Sequence, residues 1–430
     1  MSKKDQKKVK RQPVSSLKGM NDILPADQPW WDRIRKAVKE IAGFYNFLKI
    51  ETPVMEKLEL FKRPLGDTSD VVEKQMFSFK TKGGDEVVLR PEGTASIVRS
   101  YIEHGLSHLG QPLKLWYEGP MFRYEQPQAG RTRQFHQAGF EIISSDNDPV
   151  YDVQTMLACY RTLDDLKIKN INLQINSIGC NKCRPIYRKN LLEYYKNKEK
   201  SLCGDCKRRI HTNPMRLLDC KVSGCVELKK EAPQTIDNLC SDCRKHFKKV
   251  LEYLEELKLP YMLNPLLVRG FDYYTKTVFE IFAEGFDFAL GAGGRYDYLI
   301  ELMGGRQSPG VGGAMGLERI IEVMKTKEIS LGNRVRPKIF LIHIGDTAKK
   351  RSLVLIEELR EAGIDVMEQL GKDSLNAQLR TANKFEAPLS LIFGQKEAFE
   401  QSIIIRDMKT GAQETVPLKK IVAAIKRKMH

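Results

Sequence analysis

The stretch Phe122–Glu141, FRYEQPQAGRTRQFHQAGFE, constrains the fold of this chain more than any other. It opens with Arg123, Tyr124 and Glu125, at the end of an apolar segment that holds Leu113, Leu115 and Trp116. It closes on the alternating set Phe135, Gln137, Gly139 and Glu141. Two extended segments joined by a loop of Gly, Pro, Gln and Arg predict a long hairpin. Arg123, Arg131 and Arg133 supply fixed positive charge with the bidentate geometry that suits a polyphosphate. Phe135 offers a stacking face to a nucleobase, and Glu125 an acceptor for an exocyclic amine. A surface hairpin with solvated arginines meets the same pattern.

At 430 residues the chain exceeds one core, and two or three domains are expected. Its 41% hydrophobic content is that of a soluble globular protein, with no apolar run near the ~18 residues that span a membrane. The opening MSKKDQKKVKRQ lacks the apolar core of a secretory signal. Residues 1–13 therefore read as a disordered basic arm on a cytoplasmic protein with no membrane partner. A net charge of +16 favours a polyanionic partner, with RNA or DNA first to test.

Asp27 is placed to cap a helix whose apolar positions Trp31, Ile34, Val38, Ile41 and Tyr45 keep helical spacing. In Leu48–Arg63 a short extended stretch passes through Pro53 into an amphipathic helix. Met76–Lys80 and Val87–Arg90 flank a Lys-Gly-Gly turn, predicting a hairpin that delivers Arg90-Pro91-Glu92-Gly93-Thr94 to its end. Glu92 and Thr94 put a carboxylate and a hydroxyl beside Gly93; a helix start capped by Thr94 or Ser96 reads equally well. Further on, LVRGFDYYTKT packs Arg269, Asp272, Tyr273 and Tyr274 ahead of an apolar strand. GAGGRYDYLI and GVGGAMGLERII follow, the latter a small-residue strand entering a helix that carries Arg319.

Eight of the nine cysteines fall in four close pairs within residues 178–265: Cys180/Cys183, Cys203/Cys206, Cys220/Cys225 and Cys240/Cys243. Pairs at this spacing clamp a tetrahedral ion, and two pairs complete a four-thiolate site. Reduced structural thiols and disulfides are the competing readings, and the sequence leaves open which pairs share an ion. Lys182, Arg184, Arg188, Lys189, Lys207, Arg208 and Arg209 make this segment either an RNA-contacting or a solvated cationic face. Cys159 reads as a lone core thiol. From Pro337 onward, strands alternate with helical stretches and no Gly-x-Gly-x-x-Gly follows a strand, which predicts a small α/β domain without a dinucleotide site.

FRYE followed by GRTRQFHQ resembles the second signature motif of class II aminoacyl-tRNA synthetases, in the form that histidyl-tRNA synthetases carry. Leu48–Arg63 resembles the first motif and GLER, with Arg319, the third, while LVRGFDYY and GAGGRYD resemble the two histidine-specific signatures. The resemblance covers residues 17–428. It implies an α+β catalytic core, an antiparallel sheet flanked by helices, over 14–335. A helical Cys-rich insertion at 178–265 interrupts that core, and an anticodon-binding α/β domain occupies 336–430.

It further implies ATP-dependent ligation of L-histidine to tRNA(His) through histidyl-adenylate, with Mg²⁺ on the phosphates, in a homodimer. By the same resemblance Arg269 and Arg123 are catalytic, at the α-phosphate. Glu92, Gly93, Thr94, Gln137, Glu141, Tyr273 and Tyr274 bind histidine together with those two arginines. Glu125, Arg131, Phe135 and Arg319, with Arg123, bind ATP. Cysteine pairs are not general to that family, so Zn²⁺ here is expected to stabilise rather than react. Two readings compete: a non-catalytic regulatory paralogue, and a class IIa synthetase for proline, threonine or glycine. Arg269, Tyr273, Tyr274 and the C-terminal segment count against them. A basic RNA-binding protein without chemistry would leave RPEGT, FRYE and GLER unexplained.

Overall fold

A computed structural model describes residues 13–65, 75–125, 132–331, 339–371 and 373–429. The chain divides into two compact units, 1–331 and 332–430. The expected arm at 1–13 lies outside the described residues except for Pro13, as does Pro337.

The strands of the first unit are β1 (Leu48–Lys49), β2 (Met55–Lys57), β3 (Phe77–Lys80), β4 (Glu86–Leu89), β5 (Leu113–Phe122), β6 (Gln134–Ile143), β7 (Ile171–Ser177), β8 (Tyr261–Leu263), β9 (Thr275–Ala283), β10 (Gly291–Arg295) and β11 (Gly310–Gly316). Eight of them form one sheet in the order β1-β5-β6-β11-β10-β9-β7-β8, antiparallel except at its two edges. β5 and β6 make the expected long hairpin, paired from Leu113↔Ile143 to Phe122↔Gln134. The shorter hairpin is present too, as β3 and β4 in a three-stranded sheet with β2.

Alternation along these strands sorts side chains onto two faces. Trp116, Phe140, Phe279, Ile281 and Met315 join a core with the helices Gln28–Phe44, Val150–Asp165 and Leu317–Thr326. Leu115, Tyr117, Met121 and Val278 belong to the opposite cluster, shared with the helix Thr94–Glu103 and most of the Cys-rich segment. Cys159 is buried in the first core, as expected. Asp27 precedes its helix but does not cap it, because its carboxylate pairs with Lys325 at 2.6 Å.

The Cys-rich segment holds the helices Cys183–Tyr195, Gly204–Thr212, Ser223–Lys230 and Ser241–Glu256. The last of these buries Phe247, Val250 and Leu254 in the first core, and β8 then extends the main sheet. The end of this segment is therefore built into the sheet rather than appended to it.

The second unit has a five-stranded sheet ordered β13-β12-β14-β15-β16. Its strands are β12 (Ile339–His343), β13 (Met367–Glu368), β14 (Leu389–Phe393), β15 (Ser402–Asp407) and β16 (Gln413–Pro417). The helix Gln395–Glu400 and β16 are additions to the expected elements. Of the basic terminal residues, Lys428 and Arg427 pair with Glu414 at 2.8 and 3.6 Å.

Candidate active site

Glu141 lies on the face of β6 away from the first core and is 1% exposed. Its two oxygens accept the hydroxyls of Thr94 at 2.7 Å and Tyr296 at 2.6 Å. Burial, offset only in part by these two bonds, pushes its carboxyl up to about 8. Glu92 leaves β4 and accepts the first backbone N–H groups of the helix Thr94–Glu103, from Thr94 at 2.6 Å and Ala95 at 2.8 Å. Glu92 thus takes the capping task that the sequence offered to Thr94 or Ser96, and the Thr94 hydroxyl turns to Glu141 instead. Burial also raises the Glu92 carboxyl.

Aromatic side chains wall this pair of carboxylates. Tyr117 is wedged between two glycines: a Cβ at Gly93 or Gly139 would lie 2.4 Å from its ring. Tyr273 packs on Tyr274 at a centroid distance of 4.7 Å, on Phe271 at 5.4 Å, and edge-on to Tyr296 at 6.2 Å. The Gln137 Oε1 is buried and has no hydrogen-bond partner among the described residues, and the buried Tyr273 hydroxyl meets the side chain of Tyr274. Buried polar atoms are nearly always paired, so the Gln137 amide oxygen fits a site that receives a polar ligand.

Cations close one side. Arg123 donates from Nε to the Pro91 carbonyl at 2.9 Å and sits over the rings of Phe135 and Phe271, at 5.1 and 5.5 Å. Burial lowers its pKa, Glu125, Glu92 and Tyr273 oppose that, and the nearby charge of Arg269 adds to it. Arg269 pairs with Glu280 and lies 5.7 Å from the ring of Tyr274. Burial disfavours its charge too, and Glu280, Tyr274, Tyr273 and Asp219 outweigh that, so its pKa is raised. Arg319 donates to the Ala289 carbonyl at 2.9 Å over the ring of Phe288. Its side chain packs by Gly316, the cross-strand partner of Gln137. Its helix neighbour Glu318 is engaged elsewhere, accepting the backbone N–H of His136 at 2.9 Å. Arg133 stacks on Tyr124 at 4.0 Å and donates to the Glu125 carbonyl. Arg131 lies outside the described residues.

Contacts and charge proximity therefore bring Glu92, Thr94, Glu141, Arg123, Arg269, Tyr273 and Tyr274 together, with Glu125 and Phe135 against Arg123 and with Gly93 against Tyr117. Gln137 shares the β6 face of Glu141, and Arg319 packs by its cross-strand partner Gly316. Sequence reasoning passed over Tyr117 and gave Tyr296 no role. Just behind Tyr296, Arg295 is fully buried, paired with Asp152 and, at 3.0 Å, with Asp297. Lys276 reaches Asp297 at 2.9 Å, and His246, from the last helix of the Cys-rich segment, reaches Asp152 at 3.3 Å.

The four cysteine pairs resolve into two clusters, Cys180/Cys183/Cys240/Cys243 and Cys203/Cys206/Cys220/Cys225, each with its sulfurs within 4.8 Å of one another. All nine cysteines are free thiols. Sulfur–sulfur distances of 3.7, 3.9 and 3.8 Å match the edge of a tetrahedron with ~2.3 Å metal–thiolate bonds, about 3.8 Å. Backbone N–H groups of Cys240 and Cys203 donate to Cys183 and Cys225 sulfurs, at 3.1 and 3.3 Å.

An antiparallel sheet carrying this site between a carboxylate pair and opposed arginines is the catalytic architecture of a class II aminoacyl-tRNA synthetase. The family model for histidyl-tRNA synthetase matches residues 19–320, and that for the anticodon binding domain matches 338–428. The histidine–tRNA ligase of Syntrophotalea carbinolica is 43% identical over 417 residues, covering 96% of this chain and 99% of that protein. That of Natranaerobius thermophilus is 44% identical over 412 residues, 95% and 98% of the two chains. Among solved structures, apo histidyl-tRNA synthetase of S. aureus superposes with a TM-score of 0.80 at 33% identity, covering 96% of this chain and all of that one. The chain belongs to the histidyl-tRNA synthetase family.

Proposed function

We propose that this protein activates L-histidine with ATP and transfers it to tRNA(His), acting as a homodimer in the cytoplasm. The observation that carries the reading is Glu141, buried and held by Thr94 and Tyr296, with the Gln137 amide oxygen left unsatisfied on the same face of β6.

In the first step a histidine carboxylate oxygen attacks the α-phosphorus, and the bond to the departing pyrophosphate breaks. That nucleophile is already charged, so alignment and charge neutralisation supply the acceleration. Arg123 and Arg269 are assigned to the α-phosphate, where their mutual repulsion is relieved by the anion. Arg319 and Arg131 take the outer phosphates, and Phe135 and Glu125 take the adenine face and its amine. Mg²⁺, when bound, supplies further charge neutralisation on the phosphate oxygens. In the second step the 3′-terminal ribose hydroxyl attacks the acyl carbon and AMP departs.

Selectivity rests on pairing both imidazole nitrogens, since an analogue that leaves a buried polar group unpaired is rejected. Glu141, Gln137, Tyr273 and Tyr274 carry that task. Glu92 takes the histidine ammonium, and Thr94 acts by fixing Glu141 rather than by touching the ammonium.

Residues 336–430 are assigned to the anticodon. For the two thiol clusters we assign Zn²⁺, which would cross-link the segment without taking part in the reaction; free thiols fit a reducing compartment. No helix of the described residues is long and apolar enough to cross a membrane. The homodimer is supported by Phe44, Leu48, Val54 and Met55, large apolar side chains exposed around β1 and β2.

Charging of a tRNA(His) transcript with labelled histidine tests the whole reading. Acid-stable histidine on the transcript is expected, and none on a tRNA(Pro) control; equal charging of both, or of neither, would overturn it.

A further inference from the structure

The loop between Arg269 and Lys276 faces the histidine pocket on one side and the Cys-rich segment on the other, and anchors on that second side lie close in sequence to clustered cysteines. Arg184, next to Cys183, donates to the Asp272 carbonyl at 3.0 Å. Gly179, next to Cys180, accepts the Lys276 N–H at 2.8 Å, and Ile178 returns a bond to the Lys276 carbonyl at 2.8 Å. Asn213 and Arg216 lie between Cys206 and Cys220 of the other cluster. Asn213 donates to the Asp272 carboxylate at 2.8 Å, and Arg216 to the Gly270 carbonyl. Leu217, Leu218, Cys206, Cys220 and Cys225 share one buried cluster with Val268, Tyr273 and Tyr274. Lys276 itself sits at φ +47°, a left-handed conformation that a lysine holds only when its surroundings fix it.

We propose that the two thiolate–metal sites are conformational supports of the histidine pocket, acting through Arg184, Asn213 and Arg216 as positioning residues for Gly270–Asp272. This rests on the proposed histidine activity. The metal is a thiophilic divalent cation of the zinc type, one per cluster, and its bond lengths fit the observed sulfur spacing. Without it, the segments 178–184 and 206–220 lose their cross-links, the loop loses its outer anchors, and Tyr273 and Tyr274 lose their register. None of the three residues touches the reacting atoms, so their loss acts on histidine binding and, through Arg269 beside Gly270, on kcat, while Arg319 and the outer-phosphate site stay in place.

The test uses the full-length protein as purified without chelator. Zinc content is measured by mass spectrometry, and histidine KM, ATP KM and kcat by pyrophosphate exchange. Wild type is compared with Arg184→Ala, Asn213→Ala, Arg216→Ala and Arg216→Lys, with Lys230→Ala as an exposed control on the same segment. Two zinc ions per chain are expected in every form. Histidine KM rises roughly 10-fold or more in the three alanine variants, the usual scale for a lost charge-assisted hydrogen bond. ATP KM stays within about twofold, Arg216→Lys recovers part of the loss, and Lys230→Ala matches wild type.

Mercurial release of zinc, followed with a zinc dye, weakens equilibrium histidine binding in step with metal loss. Two bound zincs with unchanged histidine KM in the alanine variants would overturn the positioning role. Absence of zinc would overturn the metal sites. Wild-type protein that exchanges with no amino acid would overturn the underlying activity and this inference with it.

Discussion

Glu141 and Gly312 are cross-strand partners on β6 and β11, and the Glu141 carboxylate fills the space that a side chain at position 312 would take. A Cβ on Gly312 would lie 1.7 Å from Oε2 of Glu141. The small-residue strand GVGGAMG therefore owes this glycine to the carboxylate behind it rather than to a bound phosphate. Gly312→Ala is expected to destabilise the protein by about 1–3 kcal/mol, the usual cost of overpacking. It should also raise histidine KM well above any change in ATP KM. Parallel thermal melts and exchange kinetics check both, and an alanine variant with wild-type histidine KM would count against Glu141 as a ligand of the substrate.

Titration of Glu141 gives a second prediction. Its folded pKa, about 8, lies above the ordinary value of 4.5. Its contribution to stability is therefore fully present below about 4.5 and is lost as pH rises through about 8. Relative to wild type, Glu141→Gln should gain stability steadily as pH goes from 5 to 8.5. Melting temperatures of the two proteins across that range provide the check; a constant difference would contradict the raised pKa.

Arg269 and Arg123 are expected to act on kcat. Replacing either with alanine should lower kcat for pyrophosphate exchange on the order of 10²–10³-fold, as for other groups that stabilise developing charge. An Arg269→Ala enzyme with unchanged kcat would remove it from the α-phosphate.

The buried network behind Tyr296 should be a stability element. Burial by itself would raise the Asp152 carboxyl, but Arg295 and His246 outweigh it and hold it at about 2, below the ordinary 3.8. That stabilisation is present above about 3.8 and is lost as pH falls toward 2. Asp152→Ala leaves the fully buried Arg295 without one of its two carboxylates, at a cost on the order of 3 kcal/mol. A melt unchanged at pH 7 would argue against the network.

Much of this architecture was legible in the chain because it is written in local patterns. The alternation of Phe135, Gln137, Gly139 and Glu141 set one face of β6, and the Lys-Gly-Gly turn set the β3–β4 hairpin. What stayed hidden depends on residues far apart in sequence. Tyr117 and Tyr296 sit in otherwise ordinary strand and turn contexts, and only the glycines opposite them betray large side chains: a Cβ on Gly310 would lie 2.1 Å from the Tyr296 ring. Asp152 and His246 are separated by 94 positions, so their pairing leaves no local trace. Asp27 has the chemistry of a cap, but Lys325 competes for its carboxylate. In the second unit the six-residue helix Gln395–Glu400 is too short to show a helical period, and β16 is a mostly exposed strand with one buried residue. The grouping of cysteine pairs needed the fold, since Cys180 and Cys240 meet only after three helices have intervened.

The central claim is that this pocket recognises histidine and activates it with ATP. Amino-acid-dependent ATP–pyrophosphate exchange tests it most directly, run with histidine and, separately, with proline, threonine and glycine. Exchange with histidine alone is the expected result. Exchange with one of the other three instead, or with none from folded protein, would contradict it.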